Sequence, residues 1–260
     1  LKLFGILIEK SARDKEWGFT RASSPRYIMG SDTGVLICHG FGGSPANMRC
    51  LADAAQKQGL TVALPLLKGH ASTLGAMAKA GRADWLADAE AAYGYLVENG
   101  CRRIYLCGLS MGALLMAELA AKHENDSRIA GVMLICPPLK MRGYLVLSAH
   151  ICHVAPYALT ADGFNGNPDM EMYYGMASRK LWDIIKLAHA VKKDAHRIKA
   201  PVTLIEAGKD NRVHPSTYRI LERELGMKGH IILKDAPHGV PYSPQSRELT
   251  ELFTEFLNDK

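Results

Sequence analysis

The sequence predicts an α/β domain: a mostly parallel sheet with helices on both faces and an inserted helical cap. Three observations predict it. Short apolar, β-branched runs alternate with helix-patterned segments at close spacing from residue 35 to residue 136, and again from residue 201 onward. The rhythm stops between about Leu139 and Ala195, where no clean buried strand is visible. The run RIYLCGLSMGALLMAELAAKH, Arg103 to His123, reads as a strand, a tight turn and a helix with one serine, Ser110, at the bend.

Taken in order, the first thirty residues offer short strands at Leu3 to Ile8 and Arg26 to Met29. A buried strand follows at Val35 to Cys38, then a glycine-rich turn, then Ser44 and Pro45, which suit the cap and first position of a helix reaching about Gln58 before Gly59. The strand TVALP from Thr61 is ended by Pro65, and LLKGHASTLG is read as a loop. Trp85, Ala89, Ala92, Tyr93 and Leu96 recur at helical spacing in a helix closed by Gly100. Ile104 to Cys107 is apolar enough to be buried on both faces, and Met111 to Lys122 is made of strong helix formers. GVMLICPP from Gly131 is a strand stopped by two prolines.

Inside the irregular segment one helix is expected, with Leu181, Ile184, Ile185, Ala188 and Val191 on one face. A strand at PVTLIEAGKD, a helix from about Ser216 to Leu225, a strand from His230 and a closing helix striped by Leu249, Leu252, Phe253, Phe256 and Leu257 complete the chain. The expected division is a core of residues 1–138 and 196–260 and a cap of residues 139–195.

With 260 residues, 48% of them hydrophobic, the chain suits one large domain with an insertion. The net charge of +6 is mild and no Lys/Arg cluster is interleaved with aromatics, so no nucleic-acid partner is expected. The cysteines at 38, 50, 101, 107, 136 and 152 form no CxxC and lie mostly in apolar patterns, which predicts reduced, buried thiols. No HExxH pairs the histidines and no GxGxxG opens a helix, so neither a metal nor any other cofactor is expected. LKLFGILIEK lacks a small-residue cleavage site and is not read as a secretory leader, and no apolar span is long enough for an integral membrane segment. The expected location is cytoplasmic; nothing in the sequence sets the oligomeric state.

The serine carries the chemistry. Gly108 and Gly112 flank Ser110 at two residues on either side, where a strand turning straight into a helix leaves no room for a Cβ. The serine oxygen then stands over the sheet at a helix N-terminus, whose free N–H groups favour negative charge. Alone, this G-x-S-x-G pattern is weak. Three further features align with it: the turn HGFGG at His39 to Gly43 after one strand, Asp210 in GKDNRVHP after another, and His238 in DAPHGV after the last. In a parallel sheet these loops share the carboxyl edge, where distant residues converge.

On HGFGGSP, LPLLKGH, GLSMG, GKDNRVHP and APHG, the chain resembles α/β-hydrolases of the carboxylesterase and monoacylglycerol lipase type over nearly its whole length from Val35. The resemblance implies an α/β-hydrolase fold in which Ser110 is the nucleophile, His238 the general base and Asp210 the carboxylate that orients it. It also implies an oxyanion hole made by the backbone N–H groups of Phe41 and Met111. The implied activity is hydrolysis of short- to medium-chain carboxylic esters, monoacylglycerols among them, through an acyl-enzyme and without a cofactor. Other α/β-hydrolases cleave thioester, carbon–carbon or N-terminal prolyl bonds, and a few are non-catalytic binding proteins; a full set of triad candidates argues against the last. Asp235, three residues before His238, is the rival acid and is expected to face solvent or a neighbour. His39 and His70 are expected to brace loops. Met141, Leu145, Met172, Met176 and Trp182 are the apolar residues of the insert expected to line a pocket for the small-molecule ester.

Overall fold

The computed structural model describes residues 2–3, 6–7, 19–151, 158–160, 175–225 and 227–258. In chain order its strands are β1 (Lys2–Leu3), β2 (Ile6–Leu7), β3 (Arg26–Ile28), β4 (Thr33–Cys38), β5 (Thr61–Leu64), β6 (Arg103–Leu109), β7 (Ile129–Ile135), β8 (Ala158–Thr160), β9 (Gly175–Met176), β10 (Val202–Ala207) and β11 (Met227–Leu233). Its helices are α1 (Arg49–Lys57), α2 (Leu74–Lys79), α3 (Arg82–Glu98), α4 (Met111–Lys122), α5 (Gly143–Ile151), α6 (Leu181–Asp194), α7 (Ser216–Glu224) and α8 (Ser246–Asn258).

Apolar runs joined by single helices pair side by side, and here they form a seven-stranded sheet in the order β11-β10-β7-β6-β4-β5-β3. Every neighbouring pair is parallel except β3 with β5. Right-handed crossovers in opposite directions along the sheet send α1 to one face and α3 and α4 to the other. Accordingly α1 packs on α8, while α4 packs on α3 and α6. The central strands read as continuous apolar runs because both of their faces are covered. Helix α4 is buried from Met111 to Ala121, and its one buried carboxylate, Glu118, is held by a two-pronged ion pair with Arg82 of α3.

The strand–helix alternation, the bounds of α4 and the closing helix α8 follow the sequence pattern. Four details differ. Pro45 opens a turn of 3-10 helix, Pro45–Met48, before α1 begins, with Ser44 and Asn47 in a capping box. The stretch read as a loop after β5 runs into α2 at Leu74, and Thr73 Oγ1 caps the first turn of that helix. At the N-terminus there are two short strands rather than one: β1 and β2 pair antiparallel with each other. Strand β11 begins at Met227 because an irregularity opposite Val202 and Thr203 absorbs Lys228 and lets the ladder continue.

Residues 139–195, expected as a helical cap, are not uniformly helical. Their described residues form α5 and α6, but also β8 and β9, which join β1 and β2 in a small antiparallel sheet in the order β1-β2-β8-β9. Helix α6 buries Leu181, Ile184, Leu187, Ala188 and Val191 in the main core, a face slightly rotated from the expected one, leaving Ile185 half-buried. Among the described residues no helix is long and apolar enough to cross a membrane. Cys38, Cys101, Cys107 and Cys136 are buried thiols and Cys50 is a half-buried thiol that donates to the Pro241 carbonyl at 3.3 Å; Cys152 lies outside the described residues.

Candidate active site

Adjacent strands β11, β10, β7, β6 and β4 all end at one edge of the sheet, and the residues singled out in the sequence leave from those ends. Ser110 is the single residue between β6 and α4, with φ 56° and ψ −118°, a conformation that costs a residue with a Cβ about 1–3 kcal/mol. Its N–H donates to the Ile135 carbonyl of β7 at 2.8 Å, which helps hold the bend. The flanking glycines are required by close approach. A Cβ on Gly108 would overlap the carbonyl of Gly112, and one on Gly112 would overlap the carbonyl of Cys38.

Ser110 Oγ lies 2.9 Å from His238 Nε2, and His238 Nδ1 lies 2.7 Å from Asp210 Oδ2. The other carboxylate oxygen of Asp210 accepts the N–H groups of Arg212 at 2.7 Å and Val213 at 3.0 Å. Burial pushes the Asp210 carboxyl up, but the hydrogen bond and charge of His238, joined by those two N–H groups, outweigh it and hold the group below its ordinary value. An ionised carboxylate only accepts, so the ring proton sits on Nδ1 and Nε2 is free to accept from Ser110. Burial also lowers the His238 pKa; Asp210 opposes this and the charge of Arg212 adds to it. A serine hydroxyl bonded to a neutral imidazole can hand over its proton as its oxygen attacks an electrophilic carbon.

The turn after β4 lies against this serine. A Cβ on Gly40 would sit 3.3 Å from both the Ser110 Cβ and the Leu109 carbonyl oxygen, and Phe41 is the next residue of that turn. Among the described residues neither the Phe41 nor the Met111 N–H donates to a backbone carbonyl outside regular structure, and Met111 is the first residue of α4. His39 fixes the turn from beneath: its Nε2 accepts from Leu67 N–H at 3.2 Å and its Nδ1 donates to the Gly40 carbonyl at 2.9 Å. His70 donates from Nδ1 to the Leu67 carbonyl at 3.2 Å and packs edge-on against His39, Phe41 and Trp85. Burial lowers His39 to about 3 and His70 to about 4, so both are neutral braces.

Asp235 is exposed and paired with Lys209 at 2.7 Å, whereas the carboxylate at His238 Nδ1 is that of Asp210. His214 bonds Ser216 at the start of α7. Of the insert residues, Met141 is buried and forms a bridge with Val213 of the Asp210 loop, while Leu145 and Trp182 are half-buried against the main core. Met176 lies in β9, and Met172 lies outside the described residues.

Three contributions escaped the sequence reading. Arg142, beside Met141, donates to the Asp210 carbonyl at 3.0 Å, and Tyr144 donates to the Asn211 carbonyl at 2.8 Å, lacing the start of the insert to the acid loop. Leu74 and Met77 of α2 form a second apolar cluster with Ala177 of the insert, against which Phe41 packs; Thr73 as a cap and the Leu74–Met77 spacing were the available signal. Cys136, read as core, stands beside Asp210 and His238. Burial, and after it the Asp210 charge, pushes its thiol well above the ordinary value. Cys136, Asp210 and His238 form the group among the described residues whose ligand atoms could hold a metal ion.

A family model described as the alpha/beta hydrolase fold matches residues 34–151. The chain is 31% identical over 201 residues to a thermostable monoacylglycerol lipase of Bacillus sp. (strain H-257), covering 76% of this chain and 79% of the relative. It is 25% identical over 207 residues to a carboxylesterase of Bacillus subtilis (strain 168), covering 77% and 81%. A solved structure from work on LipS and LipT, two metagenome-derived lipolytic enzymes, matches with a TM-score of 0.82 and 28% identity, covering 92% of this chain and 98% of that one.

Proposed function

This chain belongs to the α/β-hydrolase family and is a hydrolase of the esterase and lipase type; from that premise we propose that it cleaves short- to medium-chain carboxylic esters through an acyl-enzyme on Ser110. The observation that carries the reading is the hydrogen-bonded chain from Ser110 through His238 to Asp210, with the serine strained outward between strand and helix.

In this reading Ser110 Oγ attacks the ester carbonyl carbon and its proton passes to His238 Nε2. The oxygen of the tetrahedral intermediate receives the N–H groups of Phe41 and Met111, each such donor being worth about 3 kcal/mol in the transition state. His238 then protonates the leaving alcohol, and the acyl group stays on Ser110. Water attacks next, gives a proton to Nε2, and the acid departs as the proton returns to the serine oxygen. Asp210 holds the Nδ1–H tautomer throughout and balances the imidazolium.

Of the insert of residues 139–195, expected as the cap, α6 is packed into the main core, so the part ahead of α6 is the proposed cap. Its beginning follows β7 at the carboxyl edge and is bridged to the Asp210 loop through Met141 and Val213, which supports that placement. Met141, Leu145 and Trp182 are proposed to line the pocket, beside the cluster of Leu74, Met77 and Phe41 on the core side. The monoacylglycerol lipase and carboxylesterase relatives support monoacylglycerols and other carboxylic esters as the substrate class.

The test is kcat/KM for p-nitrophenyl esters from acetyl to palmitoyl, beside monoacylglycerols and an emulsified triacylglycerol. Each methylene buried in the pocket is worth about 0.8 kcal/mol, a gain of roughly fourfold per carbon until the pocket is full. A flat profile, or preference for the emulsion, contradicts the proposed pocket.

A further inference from the structure

Beside the acid–base pair stands a buried donor that the reaction above does not use. Cys136 follows β7 directly, has no solvent exposure, and holds a positive φ of 47°. Its N–H donates to the Ile205 carbonyl of β10 at 2.9 Å, which pins this strained backbone between two central strands. Strain of this kind in a residue with a Cβ persists only where its surroundings enforce it, and it collects at sites with a task. The Cys136 sulfur, a carboxylate oxygen of Asp210 and a ring nitrogen of His238 all lie within 4.8 Å of one another.

We propose that Cys136, Asp210 and His238 form an inhibitory site for a soft divalent cation of the zinc and cadmium class, which stops hydrolysis by taking Nδ1 of His238. The inference rests on the reading of His238 as the general base. Sulfur, imidazole nitrogen and carboxylate oxygen are the donor types that such cations select, and three protein ligands with a fourth position open is an established zinc arrangement. Metal–ligand bonds of about 2.0–2.3 Å place tetrahedral donors roughly 3.3–3.7 Å apart. The His238–Asp210 contact of 2.7 Å must therefore open slightly and the sulfur close in.

The charges also fit a buried position. A divalent cation with one thiolate and one carboxylate is neutral, which removes most of the penalty of burying a bare ion.

The exchange involves no electron transfer. The Cys136 S–H bond breaks, its proton goes to solvent, and an S–metal bond forms. Asp210 gives up the hydrogen bond from Nδ1 and coordinates through oxygen. The neutral ring loses its proton from Nδ1 and regains one at Nε2, so one cation enters and one proton leaves. Nε2 then donates to Ser110 instead of accepting from it, and the serine has no base.

The test is a cadmium titration of the full chain, read by the ultraviolet thiolate-to-cadmium charge-transfer band, with p-nitrophenyl ester turnover measured in parallel under zinc and cadmium. The wild type should develop the band, lose turnover, and recover it on chelation. Cys136→Ser and Cys136→Ala should lack the band and need at least about tenfold more metal for the same fractional inhibition. Cys50→Ser, which removes the half-buried thiol, should keep both responses. If the Cys136 variants do not fold, the low-field Nδ1–H proton resonance of wild-type His238 still decides: it should vanish as metal is added. A resonance that persists under inhibition, or equal inhibition of the wild type and Cys136→Ser, overturns the proposal. A Cys136-dependent band in a protein that hydrolyses no ester would uphold the metal site and sink the proposed activity instead.

Discussion

Gly112 and Cys38 are in direct backbone contact: a Cβ on Gly112, in the first turn of α4, would overlap the carbonyl oxygen at the end of β4. The backbone fixes where that Cβ sits and the oxygen is itself backbone, so no rotamer relieves the clash. The strand that leads to Phe41 and the helix that starts after Ser110 are thus locked together at one point.

Gly112→Ala forces β4 and α4 apart. Overpacking of this kind should cost about 1–3 kcal/mol of stability. Turnover should fall even where the variant remains folded, since the Phe41 turn and Ser110 would separate. Urea unfolding and ester turnover on the same preparation check both; a folded variant with wild-type kcat contradicts the close fit.

Asp210→Asn should lower kcat by about 10⁴, because an amide stabilises the wrong tautomer of His238. Asp235→Asn should change kcat little, its carboxylate being exposed and paired with Lys209. Steady-state kinetics of the two variants separate the candidates, and a larger loss at Asp235 reverses their roles.

The acid limb of kcat/KM should lie below the ordinary histidine value of 6.5, since burial lowers His238 and only its neutral form accepts the serine proton. Arg212 lowers it further by its charge, so Arg212→Gln should move the limb upward. A wild-type limb above 6.5, or a downward shift in the variant, contradicts this electrostatic picture.

Stability should decline in acid for a separate reason. His39 and His70 are lowered by burial to about 3 and about 4, from 6.5. Below 6.5 the unfolded chain takes up protons that the folded chain refuses, so stability falls by about 1.4 kcal/mol per pH unit for each group until its folded pKa is reached. His70→Phe, filling the same aromatic cluster without a titrating ring, should reduce that slope; urea unfolding between pH 4 and pH 6.5 measures it. An unchanged slope would remove His70 from the account.

The parallel sheet was legible because its strands are buried on both faces and so appear as unbroken apolar runs, Val35 to Cys38 and Ile104 to Cys107 among them. The bend at Ser110 was legible because close backbone approach leaves glycine as the one residue that fits at 108 and 112. What hid was set by contacts between distant segments. Strands β8 and β9 are two or three residues long and are defined by pairing with β2 and with each other, so no local periodicity announces them. Arg142 reads as an exposed cation until the loop of Asp210 is seen beside it. Cys136 sits in an apolar run and reads as core; its place by the acid–base pair follows from the order of β6, β7 and β10 in the sheet.

The central claim is that Ser110 is the nucleophile, and its most direct measurement is covalent labelling by a fluorophosphonate with peptide mass mapping of wild type and Ser110→Ala. Wild type should yield one modified peptide, carrying the adduct on Ser110, and the variant should not be labelled. An adduct on another residue, or labelling that survives Ser110→Ala, would contradict it.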